Sequence, residues 1–421
     1  MSMNGKTVSV RAGFMPLLDA AILIATAEKG FAEEQGLALQ LVRETSWANI
    51  RDRIAIGHFD VAHMLAPMPI AASLGLTSLA VPMIVPMALG LGGNAVTVSN
   101  ALWHALTEAG APNDGDPARV GAALKMLIAS RRTKGEARLT LAIVHPFSGH
   151  NYELRYWLAA CGIDPENDVA LTVVPPPFMP DALAAGRIDG YCVGEPWNTA
   201  AVAAGAGRIA TTKAAIWRSS PEKVIGMRAD WTEQNRATVT RLMAALYHAA
   251  SWCDNVANHA ELARLLSQQK YLDVPVDLLL PGLSNRISLG SAVPQDVQDF
   301  LFFERKAATF PWISHALWFF TQMVHWGQAT SSAAALDAVR CTYRPDIYRE
   351  ALGPLGVILP GGSSKVEGAL LSETQMSASG GVLLLGPDGF FDGRAFDPDK
   401  LAPYLDSLPF GVKAPRSTPT L

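Results

Sequence analysis

The sequence predicts an α/β protein made of two doubly wound lobes with a ligand cleft between them. Strand-like and helix-like segments alternate along residues 7–65, and a second alternating set of similar size follows along residues 139–196. Such alternation favours sheets that are flanked by helices. Ligands bind this kind of sheet outside the carboxyl ends of its strands, so two facing sheets predict a cleft.

The first set opens with a half-buried strand, in which Val8, Val10 and Ala12 alternate with polar residues. Asp19 is expected to cap the next helix. The set continues as a strand, a helix and a strand over residues 39–43, 48–56 and 59–65. This order of elements predicts a parallel sheet.

The second set has strands over residues 139–144, 169–174 and 188–193, with helices over residues 150–161, 179–185 and from about 196. Residues 230–327 are predicted to be mostly helical. The tail after Tyr343 is rich in Gly, Pro and Ser and is predicted to be loop-like. We expect lobe I to comprise residues 1–95 and 222–421, and lobe II residues 96–221.

Composition excludes several classes of function. The chain has 49% hydrophobic and 17% charged residues, which is typical of a globular protein and not of a disordered one. Its formal net charge is −4, and no dense basic run suggests direct nucleic-acid binding. Four scattered cysteines without a CxxC pair indicate no zinc site.

Catalysis and membrane insertion are also not expected. The sequence has no P-loop, GxGxxG, GxSxG or HExxH motif, so we predict no catalytic residue, no cofactor and no metal. Residues 61–103 carry no Asp, Glu, Lys or Arg, but four prolines interrupt this run, and a buried core explains it better than a membrane span.

The first residues of the sequence indicate the cellular compartment in which the protein is expected. Only a few polar residues precede the first strand, without the apolar stretch and cleavage site of a signal peptide. If Met1 is the natural start, we expect a cytoplasmic protein. A periplasmic location is the alternative if a leader has been removed.

Eight segments, in order along nearly the whole chain, resemble the nitrate- and bicarbonate-binding proteins of ABC import systems. They are residues 13–17 (GFMPL), 44–52 (ETSWANIRD), 62–69 (AHMLAPMP), 155–160 (RYWLAA), 193–198 (VGEPWN), 221–223 (PEK), 314–319 (SHALWF) and 391–398 (FDGRAFDP). Together these matches are specific, although no single one decides. The resemblance implies a periplasmic-binding-protein type II fold, in which two α/β lobes close on a small anion.

The resemblance also implies a set of binding residues. It places the anion among Trp47, Asn94, His150 and Lys223 and puts two more residues near the site, Pro176 and Glu195. The sequence departs from the family in two places. Asn94 stands where nitrate binders usually have glutamine, and residues 146–150 (PFSGH) replace the usual Pro-Gly-Gly-Thr-His.

The lack of a leader makes the chain most similar to the cytoplasmic nitrate/nitrite sensors of the NasS type. That branch implies a partner, an RNA-binding antiterminator with an ANTAR domain, which is held inactive until nitrate or nitrite binds. The alternative function is the solute-binding component of a nitrate/nitrite or bicarbonate ABC transporter.

The chemistry of the four residues suits a flat monoanion. Lys223 offers a positive charge, and Asn94 offers two amide N–H donors. His150 opens a helix, whose free N–H groups and dipole favour an anion. Trp47 offers a flat wall and an indole N–H. Taken singly, each residue also has a structural explanation, such as a core tryptophan or a helix cap, and Glu195 is an equally good cap for the helix after Pro196.

Overall fold

The computed structural model describes residues 7–289 and 293–412. Within these residues the chain forms the strands β1 Val8–Phe14, β2 Leu37–Arg43, β3 Val61–Leu65, β4 Met83–Ala88, β5 Leu91–Gly92, β6 Asn94–Ser99, β7 Leu139–Ile143, β8 Val169–Val173, β9 Gly190–Gly194, β10 Gly207–Thr212, β11 Lys223–Arg228, β12 Arg286–Ile287, β13 Gln295–Asp296, β14 Leu301–Phe302, β15 Leu359–Pro360, β16 Thr374–Ser379 and β17 Gly381–Leu385.

The helices cover both faces of the two main sheets. They are α1 Ala21–Glu28, α2 Phe31–Glu34, α3 Trp47–Ala55, α4 Pro67–Ser73, α5 Asn100–Glu108, α6 Pro117–Thr133, α7 Gly149–Ala160, α8 Met179–Ala184, α9 Trp197–Ala203, α10 Lys213–Ile216, α11 Ala229–Gln234, α12 Arg236–Asp254, α13 His259–Leu266, α14 Val276–Leu283, α15 Ile313–His325, α16 Ala333–Thr342, α17 Pro345–Leu352 and α18 Leu401–Ser407. Short 3₁₀ turns at Leu18–Ala20 and Pro176–Phe178 carry further residues of interest.

The two main sheets have five strands each, in the orders β2-β1-β3-β11-β4 and β10-β6-β9-β7-β8. One strand in each sheet, β11 in the first and β6 in the second, runs antiparallel to its neighbours. The sequence predicted parallel sheets, and the strands that it identified, β1 to β3 and β7 to β9, do pair in parallel. It did not reveal the antiparallel strands β6 and β11, because apolar alternation has the same period in either strand direction. The prediction of two α/β lobes is confirmed.

The chain passes between the sheets twice, and the antiparallel strands mark both passages. β6 begins at Asn94 directly after the first passage, and β11 begins at Lys223 directly after the second. In β6 the first residue pairs with Gly194 at the end of β9, and in β11 the first residue pairs with Leu65 at the end of β3. Both strands therefore start at the edge where parallel strands end.

The C-terminal part of the chain packs on both lobes. Helix α15 contacts α4 beside the first sheet and α7 beside the second. Tyr152 in α7 donates a 2.6 Å hydrogen bond to Gln328, and the Phe390 ring stacks on Trp217 with ring centroids 4.5 Å apart. One large cluster of buried apolar residues runs through both lobes and this segment.

The tail after Tyr343 is more ordered than its composition predicted. Besides two helices, α17 and α18, it contains a three-stranded sheet in which β16 and β17 form a hairpin. The loop prediction was wrong because the Gly and Ser residues flank a run of Val and Leu that pairs as a strand. In the part of the chain that the structure describes, no helix combines the length and apolarity that a bilayer crossing requires.

Candidate functional site

The predicted binding residues lie at the facing edges of the two sheets. In the first lobe Trp47 opens the helix that follows β2, and Lys223 opens β11. In the second lobe His150 lies in the first turn of α7, directly after β7, while Asn94 opens β6. Since parallel strands end where the antiparallel strands begin, the topology gathers all four residues at one cleft.

Lys223 is fully buried and is surrounded by negative charge. Its Nζ lies 2.8 Å from Asp19 Oδ2, 2.8 Å from Glu222 Oε1 and 5.6 Å from the centre of the Trp47 ring. Burial by itself would lower the pKa of Lys223, but these two carboxylates raise it above its usual value. The sequence argument treated Lys223 as a solitary positive charge, and this was wrong because the adjacent Glu222 and the distant Asp19 both pair with it.

Glu222 connects the two lobes. His150 Nδ1 lies 3.2 Å from Glu222 Oε1, and Lys213 donates a 2.5 Å hydrogen bond to Glu222 Oε2. Burial would raise the pKa of Glu222, but the neighbouring His150 and the ammonium groups of Lys213 and Lys223 bring it well below its usual value. Burial lowers the pKa of His150 to about 3, and the lysines add to this effect. The imidazole is therefore neutral near pH 7.

Several buried polar atoms at this cleft lack a protein partner. Among the described residues, no hydrogen bond is made by Trp47 Nε1, by either side-chain atom of the Asn94 amide or by either ring nitrogen of His150. A buried donor without a partner costs about 1–3 kcal/mol. Three predicted ligand residues on two lobes thus carry unused hydrogen-bonding capacity in buried positions, and unpaired buried groups of this kind are uncommon in folded proteins.

The contacts of Gly194 show that Asn94 lies close to the ion pair of Asp19 with Lys223. A methyl group on Gly194 would lie 3.2 Å from Asn94 Oδ1 and 3.4 Å from Asp19 Oδ2. The amide and the Asp19 carboxylate therefore flank the same glycine, and Asp19 in turn contacts Lys223. Trp47 thus lies beside the Lys223 ammonium, while Asn94 and His150 lie beside its partners Asp19 and Glu222.

Glu195 is adjacent to this group but directs its side chain elsewhere. Its Oε2 accepts a 3.1 Å hydrogen bond from the backbone N–H of Thr199, as the helix-cap explanation predicts. Its backbone carbonyl accepts a 2.8 Å hydrogen bond from the N–H of Leu18, which links the lobes. Burial raises the pKa of Glu195 to about 7.

Pro176 lies farther along the same edge. It is buried and begins the 3₁₀ turn after β8. No contact found in the described residues joins it to Lys223. Its place in the site rests on the resemblance alone.

Sequence reasoning missed the charged partners of the predicted ligands. Asp19 was expected to cap a helix, but α1 has no side-chain cap, and the Asp19 carboxylate instead lies 3.0 Å from His63 Nε2 and beside Lys223. Burial would raise the pKa of Asp19, but Lys223 and His63 lower it. Lys213 Nζ lies 2.9 Å from Glu153. A charged residue inside an apolar run, as in Leu17-Leu18-Asp19-Ala20, was the available signal.

Comparison with known proteins gives this cleft a context. Residues 4–267 match the model of the NMT1-like family. The chain belongs to the NMT1-like family. It is 33% identical over 415 residues to the nitrate/nitrite binding protein NrtA of Synechococcus elongatus, covering 96% of this chain and 87% of that protein. These findings confirm the resemblance found in the sequence.

Other members of the family extend the comparison. The bicarbonate transport ATP-binding protein CmpC of Synechococcus elongatus is 32% identical over 407 residues, covering 96% of this chain and 55% of that longer protein. The crystal structure of the periplasmic nitrate-binding protein NrtA from Synechocystis PCC 6803 superposes with a TM-score of 0.84 at 30% identity, covering 97% of this chain and 100% of that one. This similarity confirms the periplasmic-binding-protein type fold.

Proposed function

We propose that this protein binds nitrate or nitrite in the cleft between its lobes and serves as the solute-binding component of an ABC transporter. The observation that carries the proposal is the set of unpartnered buried groups, Trp47 Nε1, the Asn94 amide and His150 Nε2, gathered around Lys223. The family relatives that are named as a nitrate/nitrite binding protein and as a bicarbonate transport ATP-binding protein support it.

The shape and charge of these groups suit a small planar anion. The Asn94 amide and the Trp47 indole supply N–H donors, and both side chains are almost completely buried. Helix α7 has twelve residues and directs its N-terminus, with the positive end of its dipole, toward the cleft through Gly149 and His150. Charge-assisted hydrogen bonds in such a dry site are stronger than in water.

The proposed ligand size sets an affinity to expect. The best small ligands gain about −1.5 kcal/mol per heavy atom, which gives roughly −6 kcal/mol for four atoms and a Kd of tens of micromolar. We expect isothermal titration calorimetry with sodium nitrate to show one site of about this affinity or tighter, and sodium chloride to give no comparable heat.

Bicarbonate is the competing ligand, and the structure gives it one argument. Bicarbonate carries an O–H that needs an acceptor, and the Glu222 carboxylate lies beside Lys223 and His150. Parallel titrations with nitrate, nitrite and bicarbonate decide between them. Stronger binding of bicarbonate than of either nitrogen oxyanion would reject the proposed ligand, and an absence of binding by all three would reject the proposed site.

The role of a cytoplasmic sensor is a second proposal, and it rests on the resemblance to the NasS-type branch. In that role, anion binding would close the lobes and release an ANTAR-domain antiterminator. A ligand drives such a change only through its preference for the closed form, and each tenfold preference supplies about 1.4 kcal/mol. Copurification of this protein with an ANTAR-domain protein, and its loss on adding nitrate, would support the sensor; binding to a permease complex would support transport.

A further inference from the structure

Seven ionisable side chains form one buried cluster at the proposed site. We call this the ionic cluster, and each of its members is at most 4% exposed: Asp19, His63, His150, Glu153, Lys213, Glu222 and Lys223. Ion-pair distances of 2.5–3.2 Å connect them across both lobes. Because water is excluded, the sum of their charges governs what else the site accepts.

The charges inside the ionic cluster cancel near pH 7. Two lysine ammoniums face two ionised carboxylates, Asp19 and Glu222. Burial raises the pKa of Glu153 to about 8, so this third carboxyl group is mostly protonated. Burial likewise lowers the pKa of both histidines and keeps them neutral. Burying a monoanion here would therefore leave one negative charge unbalanced. This costs free energy unless a positive charge enters the site with the anion.

We propose that the anion enters this site together with one proton and that His150 Nε2 holds that proton. This inference rests on the proposed function and specifies how the site accepts its ligand. The bound species is then a monoanion beside an imidazolium, and the cluster with its ligand is again neutral.

The hydrogen-bonding positions of the two histidines select His150. His150 Nδ1 lies 3.2 Å from Glu222 Oε1, although neither ring nitrogen makes a hydrogen bond within the described structure. Since a carboxylate only accepts hydrogen bonds, its negative charge at this distance favours the tautomer with the hydrogen on Nδ1. In the neutral ring Nε2 is then a bare lone pair, which repels an anion. His63 has no free position, because its Nδ1 accepts the N–H of Met15 at 3.4 Å and its Nε2 faces Asp19 at 3.0 Å.

The groups that face His150 come from three further parts of the chain. They are Glu222 and Lys223 at the start of β11, Lys213 in α10 and Asp19 after β1. The lysines disfavour protonation and the carboxylates favour it, and burial outweighs both in the empty site. An anion against Nε2 adds the missing favourable charge, so the proton affinity of the ring rises when the ligand binds.

Proton uptake is measured directly by titrating the full chain with sodium nitrate in two buffers that differ in ionisation enthalpy. At pH 7 we expect net proton uptake when nitrate binds, and an affinity that falls as the pH rises, by at most about tenfold for each pH unit. Nitrate binding with no proton uptake would overturn the inference while leaving the proposed function intact. No binding of nitrate at any pH would instead reject the proposed function.

The identity of the proton acceptor needs a separate readout. In ¹⁵N-histidine-labelled protein, we expect one neutral ring in the empty form to become an imidazolium on adding nitrate. His150→Gln should remove this signal and flatten the pH dependence of any remaining binding. His104→Gln is the matched control, since His104 is 75% exposed on α5, and it should leave both unchanged. A new imidazolium that persists in His150→Gln would assign the proton elsewhere and overturn the proposal.

Discussion

His150 in α7 and Glu222 at the start of β11 lie 3.2 Å apart, Nδ1 to Oε1, and belong to opposite sides of the cleft. The backbone carbonyl of Glu222 also accepts a 3.0 Å hydrogen bond from the N–H of Ala66 in the first lobe. The same carboxylate contacts both buried lysines. The Glu222 side chain therefore joins the two lobes and also contributes a negative charge to the proposed site.

Neutralising Glu222 should tighten anion binding and weaken the fold. Glu222→Gln gives the ionic cluster a net positive charge, so nitrate affinity should rise and proton uptake should fall. Breaking buried ion pairs costs roughly 3–5 kcal/mol, so the free energy of unfolding without nitrate should drop. Thermal unfolding with increasing nitrate measures both effects. The exposed ion pair of Glu350 with Arg236 supplies a control, Glu350→Gln, which should behave as the unmodified chain.

Removing the Asn94 amide should weaken nitrate binding without lowering the stability of the fold. Asn94 makes no side-chain hydrogen bond within the described structure, so Asn94→Leu removes an unsatisfied buried group of similar size. We expect the free energy of unfolding to stay constant or to rise by about 1 kcal/mol, and nitrate affinity to fall roughly tenfold to a hundredfold. Urea unfolding and calorimetry measure these two quantities.

The control for that change lies at the other end of the same strand. Asn100, just after β6, is exposed and donates a hydrogen bond to the Gly205 carbonyl. Asn100→Ala should therefore leave nitrate affinity unchanged. A loss of affinity as large as that of Asn94→Leu would show that β6, and not the Asn94 amide, supports binding.

Glu153 should make the empty protein less stable as the pH rises. Burial raises the pKa of its carboxyl group to about 8 in the folded protein, above the usual value of 4.5. Between these values the folded chain holds a proton that the unfolded chain releases, so stability falls with increasing pH. Glu153→Gln should gain at least about 1 kcal/mol relative to the unmodified chain at pH 8. The gain should be absent at pH 4, and urea unfolding at both pH values tests this.

A methyl group at Gly149 should disturb the contact between the lobes. The added carbon of Gly149→Ala would lie 2.3 Å from Glu222 Oε2, although alanine is about 1 kcal/mol better than glycine inside a helix. We expect a net loss of thermal stability and weaker nitrate binding. At Gly389 a methyl group meets only Leu371 at 3.8 Å, so Gly389→Ala should cause neither loss. Equal stability of both variants would contradict the packing described for Glu222.

The sequence was sufficient for the lobes and for the candidate ligands, but not for the charges around them. Lys223 and His150 were recognised because each lies in a motif that resembles one family. Asp19, Glu153 and Lys213 lie in segments that read as ordinary helix starts or faces. Their proximity to Lys223 depends on how β11 returns between β3 and β4, and local periodicity contains no information on that pairing.

The strands β16 and β17 of the C-terminal segment also could not be predicted from the sequence. Strand β17 has an apolar sequence, yet Val382 is 57% exposed, so neither burial nor alternation identifies it as part of a sheet. Its partner strand β16 is rich in Ser and Thr. The pairing is visible only once both strands are placed beside each other.

Helix α15 packs against both lobes, so it restrains the rate at which the lobes separate. Swinging the halves apart requires Tyr152 to release Gln328, or the whole region from Ile313 onward to travel with one half. If the protein binds an anion as proposed, release of that anion is limited by how fast these contacts loosen, in addition to the bending of the two connecting passages. A partner molecule that binds the segment from Ile313 onward would therefore change how fast the anion leaves without touching the anion.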